Sequence, residues 1–314
     1  MAKLGRTDIE IHPLVLGTNT FGWNTEEVEA HAVLDAFTAA GGNLIDTADV
    51  YSAWAPGNVG GESETVIGTW LANNRNTQAL VATKVSQHPE FKGLTAANIR
   101  AAAEASLKRL GTEVIDLYYA HFDDEETPLE ETVGAFNDLA NEGTIRHIGI
   151  SNYSPERVRE WLDITERHGY ARPVALQPKY SLVSRSTFEP GLRDIAVAED
   201  LSAFPYHALA SGFLTGKYRT EADLKQSIRG DSAARHLNPS GLAIIEKLDQ
   251  IAQARGVAIA SVALAWTRTR PGIAAPIAGA RTADQLGPLL ASAELELTRD
   301  EADELTALSD VIGA

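Results

Sequence analysis

Strand-like and helix-like segments alternate along nearly the whole of this 314-residue chain. Short apolar runs such as Leu14-Val15-Leu16-Gly17 and Ala79-Leu80-Val81-Ala82-Thr83-Lys84 read as buried strands. The longer stretches between them carry apolar residues at helical spacing. Strands are expected at 14–17, 43–46, 79–84, 114–120, 145–150, 173–177, 201–205 and 273–277. Helices are expected at about 25–40, 61–73, 95–109, 129–141, 155–168, 188–199, 240–255, 258–268, 282–292 and 298–309. Several boundaries carry their own signals. Thr25 reads as a helix start, Gly41-Gly42 as a stop, Thr95 as a cap, Gly111 as a terminator, and Pro155 fits a first turn. Strand–helix alternation makes neighbouring strands parallel. About eight such units with no Pro/Gly/Ser linker between them predict one domain over 1–314 of the α/β class. Its form is a (β/α)8 TIM barrel with a short N-terminal hairpin and a C-terminal helix. The competing open sheet requires Gly-x-Gly-x-x-Gly after its first strand. Gly57-Asn58-Val59-Gly60-Gly61 follows a loop and lacks that spacing, so it reads as a loop ending in a helix start at Glu62 or Ser63. No phosphate-binding Gly-x-x-x-x-Gly-Lys-Ser/Thr is present.

Charge and composition narrow the function. The formal net charge is −16, which repels a phosphate backbone and argues against nucleic acid as a partner. The chain has no cysteine, which removes disulfides and thiolate metal sites. No apolar run reaches the length of a membrane span, and Met1-Ala2-Lys3-Leu4-Gly5-Arg6 is no signal peptide, so a cytoplasmic location is expected.

Four polar residues stand at or just past strand ends: Asp46, Tyr51, Lys84 and His121. In a parallel barrel those ends meet at one rim, where active sites are built. A phenol, an ammonium, a carboxylate and an imidazole suit proton delivery to a carbonyl oxygen. Tyr51 holds its proton at neutral pH, and a nearby Lys84 ammonium is expected to lower its pKa. Asp46 would pair with Lys84, and His121 would orient the carbonyl. No metal is expected, because there is no His-Glu-x-x-His and His121 with Asp123 and Asp124 offers no tetrahedral set.

The motifs around these residues resemble the aldo-keto reductases along nearly the whole chain. They include Asp46-Thr47-Ala48-Asp49-Val50-Tyr51, Ala82-Thr83-Lys84, Ile115 to His121 and Gly149-Ile150-Ser151-Asn152-Tyr153. Further along come Leu176-Gln177-Pro178, Ala210 to Tyr218, and Pro276 to Thr282. The likeness is greatest to bacterial members that themselves resemble potassium-channel β-subunits. The resemblance implies a TIM barrel that binds NADPH or NADP and acts on a small carbonyl or alcohol substrate, as a monomer or homo-oligomer. It implies that Tyr51, Lys84, Asp46 and His121 are catalytic. It assigns Gly17, Thr18 and Asn19 to the cofactor, and Ser151, Asn152 and Gln177 to the nicotinamide carboxamide. Tyr206 would stack on the nicotinamide ring. Leu209, Ser211, Gly212, Leu214, Gly216 and Lys217 would wrap the pyrophosphate, and Gly279, Arg281 and Gln285 would grip the adenosine end. Arg281 would pair with a 2′-phosphate.

Three positions depart from the family pattern. His207-Ala208 replaces Ser-Pro, Leu289 stands where many members carry Asn, and Asn19 stands where an apolar residue is common. Trp23, Asn24, Trp54, Phe122, Tyr153 and the loop from about 218 to 237 are candidate substrate walls, which suits a sugar-like or small hydroxylated carbonyl compound. Arg229 and Arg235 read as charges on a mobile, solvated loop, with an anionic substrate as the alternative.

Overall fold

The computed structural model describes residues 1–225 and 227–312. Eight strands form one all-parallel sheet: β1 (Val15–Gly17), β2 (Leu44–Asp46), β3 (Leu80–Val85), β4 (Ile115–Ala120), β5 (Ile145–Ser151), β6 (Pro173–Gln177), β7 (Ser202–Ala203) and β8 (Ile277–Ala278). Sequential strands are neighbours from β1 to β7, and β8 pairs with β1. The last seam closes through backbone bonds. Ala203 N–H donates to Gly272 O at 2.9 Å, Ala274 N–H to Ala203 O at 2.9 Å, and Ile277 N–H to Pro205 O at 2.8 Å. The result is a (β/α)8 barrel.

Register places the functional ends together. Gly17 lies beside Asp46, Asp46 beside Ala82, Lys84 beside Tyr119, and Gln177 beside Ser151. Side chains alternate across each strand. On β4, Leu117 and Tyr119 belong to the barrel interior, whereas Tyr118 and Ala120 pack outward against helices. The hairpin Ala2–Lys3 and Glu10–Ile11 contributes Leu4 and Ile11 to the interior cluster, at the end where the strands begin. Ser202 fastens it there by accepting from Gly5 N–H at 2.8 Å and donating to Lys3 O at 2.7 Å.

Helices α1 (Glu27–Ala39), α2 (Glu62–Asn73), α3 (Ala96–Leu110), α4 (Leu129–Asn141), α5 (Pro155–His168) and α6 (Gly191–Ala198) cross between successive strands. Pro239–Arg255 and Ile259–Arg268 lie between β7 and β8, and Leu286–Glu294 and Arg299–Asp310 follow β8. The expected caps of α3 are present: Thr95 accepts from Asn98 N–H and Gly111 is left-handed. Pro155 opens α5 behind a Ser154 cap.

Thr25 is not a helix start. It closes a tight loop in which Thr25 N–H donates to Thr20 O at 3.1 Å and Gly22 N–H donates to Thr25 O at 3.1 Å, so α1 begins only at Glu27. The expected helix at 188–199 begins at Gly191, after Pro190, which has no N–H for a preceding turn. The segment at 282–292 divides into a short 3-10 turn, Ala283–Gln285, and the helix from Leu286. A small hairpin, Gln87–His88 with Phe91–Lys92, follows β3 without an obvious sequence signal. Among the described residues, no helix is long and apolar enough to cross a membrane.

Candidate active site

Lys84 leaves β3 with its side chain fully buried. Its Nζ donates to Asp46 Oδ2 at 2.8 Å, to Thr47 O at 2.6 Å and to Tyr51 Oη at 3.1 Å. All three ammonium protons therefore have acceptors, which fixes the charge at one point. Tyr51 Oη also lies 3.5 Å from Asp46 Oδ2. The other oxygen of Asp46 accepts from Gln177 Nε2 at 2.7 Å. His121, just after β4, places its ring 6.3 Å from that of Tyr51, edge to face, and its buried Nδ1 has no hydrogen-bond partner. The four residues read as one set in the sequence thus converge at the ends of β2, β3 and β4.

Burial dominates the electrostatics. It pushes the Tyr51 phenol well above its ordinary range, and the Asp46 carboxylate pushes the same way. The expectation that Lys84 lowers this phenol is overturned for the resting site. The ammonium favours phenolate, but desolvation and Asp46 outweigh it. Burial also lowers Lys84, with Asp46 working against it. His121 is held well below the usual histidine range by burial and then by Lys84, so it is a neutral imidazole. Such a ring carries one N–H donor.

A second buried layer supports this rim and was not read from the sequence. From α2, Ser63 accepts a hydrogen bond from Thr47 Oγ1 at 2.9 Å and donates to Thr18 O at 3.0 Å. Its neighbour Glu64 accepts from Thr83 Oγ1 and, at 2.6 Å, from Arg109 Nε. Asp49 is buried beside them with neither carboxylate oxygen bonded, and desolvation followed by Glu64 holds its carboxyl well above the usual range. The only sequence hint was the placing of charged residues at a helix start and in a strand-end loop.

A cleft of about 650 Å³ opens from this rim. Gly17, Thr18, Asn19, Asp46, Tyr51, Trp23, Asn24 and Trp54 line one stretch. Tyr206, Leu209, Ser211, Gly212, Lys217, Gly279, Arg281, Gln285 and Leu289 line the rest. Arg229 Nη2 bridges across it to Asn19 Oδ1 at 3.1 Å. Gly279 is required where it stands, because a Cβ there would meet Gly17 O at 2.5 Å. Ser211 and Gly212 turn with positive φ, bringing backbone to the cleft.

Other expected residues are placed differently. Ser151 and Gln177 are buried behind the rim: Ser151 Oγ donates to Gln177 O at 2.9 Å, and the Gln177 amide is committed to Asp46. Asn152, at φ 56°, donates from Nδ2 to His121 O at 2.9 Å and to Ser151 Oγ at 3.0 Å, and accepts from Tyr206 Oη at 2.6 Å. These three therefore brace the rim and Tyr206 in this state. Leu214 is a fully buried core residue, and Gly216 is the left-handed residue that ends the 3-10 turn Ala210–Thr215; neither lines the cleft. Trp23 and Trp54 form cleft walls, with rings 5.8 Å apart. Tyr153 is not a wall: it is 4% exposed and packs edge-on against Trp161 in the core. Phe122 is 39% exposed and covers the His121 ring at 4.9 Å, outside the cleft lining.

Comparison with known proteins agrees with this geometry. The model of the Aldo/keto reductase family matches residues 13–310. Protein tas of Escherichia coli is 34% identical, covering 98% of this chain and 97% of its own length. A probable voltage-gated potassium channel subunit beta of Oryza sativa is 32% identical, covering 90% and 88%. Norsolorinic acid reductase stcV of Emericella nidulans is also 32% identical, covering 95% and 78%. A barrel whose strand ends gather a buried lysine, a tyrosine, an aspartate and a histidine, matched over this length, is an oxidoreductase scaffold, and the chain belongs to the aldo/keto reductase family.

Proposed function

We propose that this protein reduces an aldehyde or ketone to an alcohol with NADPH, and that Tyr51 gives the carbonyl oxygen its proton. The observation that carries this reading is the buried Lys84 ammonium bound to both Asp46 and Tyr51, which line the cleft. The phenol is held protonated at rest, as a donor requires. Lys84 at 3.1 Å stabilises the phenolate left after transfer. Asp46, braced by Gln177, keeps the ammonium in place. The neutral His121 offers one N–H to the same oxygen and adds no charge.

The cleft suits an extended dinucleotide. Lys217, Arg229 and Arg281 line it in a chain of net charge −16, and none of the three has a carboxylate ion-pair partner among the described residues. Tyr206 would face the nicotinamide, Ser211, Gly212 and Lys217 the pyrophosphate, and Arg281 a 2′-phosphate. The cofactor, when bound, supplies the hydride that reaches the carbonyl carbon. Trp23, Asn24 and Trp54 suit a small hydroxylated carbonyl compound, since the indoles stack on C–H faces and the amide bonds hydroxyls. The same groups run the reverse oxidation of an alcohol.

The test is Tyr51→Phe assayed against a panel of aldehydes and ketones, with NADPH binding followed by fluorescence. The expected result is a loss of about 10²–10⁴-fold in kcat with cofactor affinity retained. Substantial activity in the variant rejects Tyr51 as the donor. A wild-type protein that binds NADPH tightly yet reduces nothing favours a cofactor-sensing role over catalysis.

A further inference from the structure

A small recess opens off the cleft on the β6 side of the 206–211 segment. Four basic side chains line it, Lys179, His207, Arg235 and His236, and Ser211 and Ser232 join it to the main cleft. Lys179 is bridge-paired with Tyr206, and Tyr206 in turn bonds Asn152 beside His121, so the recess flanks the reacting end of the cleft. The charged neighbours felt by His207 are Lys179, Arg229 and Arg235, and those felt by His236 are Arg235, Lys179 and His207. All are cations. In a chain with 43 Asp and Glu against 27 Lys and Arg, the Lys179 and Arg235 charges, with no carboxylate lining the recess, favour an anion there.

We propose that this recess binds an oxyanion, carboxylate or phosphate, carried by the carbonyl substrate, so that the preferred substrates are anionic aldehydes or ketones. The proposal rests on the reductase reading above. The recess itself has room for about 10 Å³, the space of one oxygen, so the rest of the anion stands in the cleft against the Ser232 hydroxyl. Hydroxyls and cations together are the donor set that a carboxylate or phosphate takes. The cofactor's own phosphates fall to Ser211, Gly212, Lys217 and Arg281 in the main cleft; of these only Ser211 also borders the recess, whereas Lys179, Arg235 and His236 line the recess and not the cleft. His207 and His236 are held below the ordinary histidine range by desolvation first and then by the surrounding cations. A bound anion reverses the second cause. Anion binding therefore takes up protons and tightens as pH falls.

The experiment compares ω-oxocarboxylates with n-alkanals of equal chain length, over short, medium and long chains, in wild type, Lys179→Met and Arg235→Met. Wild type is expected to prefer the oxo acid at one chain length. Each variant should raise KM for that acid about tenfold or more, the worth of a charged hydrogen bond. KM for the alkanal and the NADPH dissociation constant should change less than about twofold. KM for the acid, but not the aldehyde, should fall with falling pH. Equal effects on acid and aldehyde overturn the proposal. Weakened NADPH binding with no substrate discrimination also overturns it, by giving the recess to the cofactor. If no carbonyl compound is turned over, the reductase reading fails by itself. Calorimetric titration with succinate and inorganic phosphate then decides the recess: heat in wild type that Lys179→Met abolishes supports an oxyanion site, and no heat in wild type refutes it.

Discussion

Replacing Arg109 by Met should destabilise the protein far more than loss of a surface charge would. Glu64 has no exposed side-chain surface, while Arg109 is 19% exposed and bonds it at 2.6 Å. The other Glu64 oxygen is taken by Thr83, and the adjoining Asp49 carboxyl lacks any partner. Without the guanidinium, a buried carboxylate loses its counter-ion beside a second acid. Breaking such a pair from one side costs about 3–5 kcal/mol. The partial exposure of Arg109 places this case near the lower end, about 3 kcal/mol. For a chain of this size that corresponds to a fall in Tm of roughly 4–5 °C. The double variant Arg109→Met/Glu64→Gln should recover most of the loss, because the remaining amide is polar but uncharged. Calorimetry and urea unfolding of the two single variants and the double variant give the coupling, expected to exceed about 1 kcal/mol. An Arg109→Met protein within about 0.5 kcal/mol of wild type would show that the pair is solvent-screened and refute the reasoning. The layer also reaches the active site, since Thr83 precedes Lys84 and Asp49 N–H bonds Lys84 O at 3.3 Å. A several-fold fall in kcat at a temperature where the variant is folded is the expected second signature.

Lys84→Met removes the ammonium shared by Asp46, Thr47 and Tyr51, so kcat should fall by about 10²–10⁴-fold in steady-state assays; a near-normal rate would end its assigned role. Arg281→Ala should weaken NADPH far more than NADH in fluorescence titrations, whereas equal weakening would reject a 2′-phosphate contact. Stability should also decline on mild acidification. Of the eight histidines, six (His12, His88, His121, His147, His207 and His236) are held below the ordinary value, each chiefly by desolvation. A base whose folded pKa is depressed contributes its full stability above the unfolded pKa, near 6.5, and loses it below, because only the unfolded chain takes the proton. Together the six should outweigh the opposite pull of the raised Asp49 carboxyl, and urea titrations between neutral pH and pH 5 that show no decline in stability would contradict their neutral, buried state.

How much of this was legible in the sequence depended on whether a signal was local. Lys84 and His121 end apolar runs, so their place at the rim followed from strand periodicity alone, and Thr95 with Gly111 marked α3 by cap chemistry. Where partners are remote in sequence, pattern was silent. The family resemblance assigns the Gln177 amide to the nicotinamide carboxamide, yet its donor goes to Asp46, 131 residues away, across the barrel. Tyr153 shows the same limit from the other side. An aromatic residue after Asn152 looks alike whether it faces cleft or core, and the deciding neighbour, Trp161, lies one helix later. The direction of the Tyr51 shift is not legible in the sequence, because residue identity supplies the neighbouring charge of Lys84 but not the desolvation that exceeds it. The recess beside Tyr206 combines both limits. His207 was visible as a departure from the family pattern, but Lys179 and His236 come from separate loops and acquire meaning only when folding brings them to one place. Residues that supply a reaction's charges can therefore be read from strand ends, whereas residues that set the energy of those charges, or select the substrate, lie in the packing between elements.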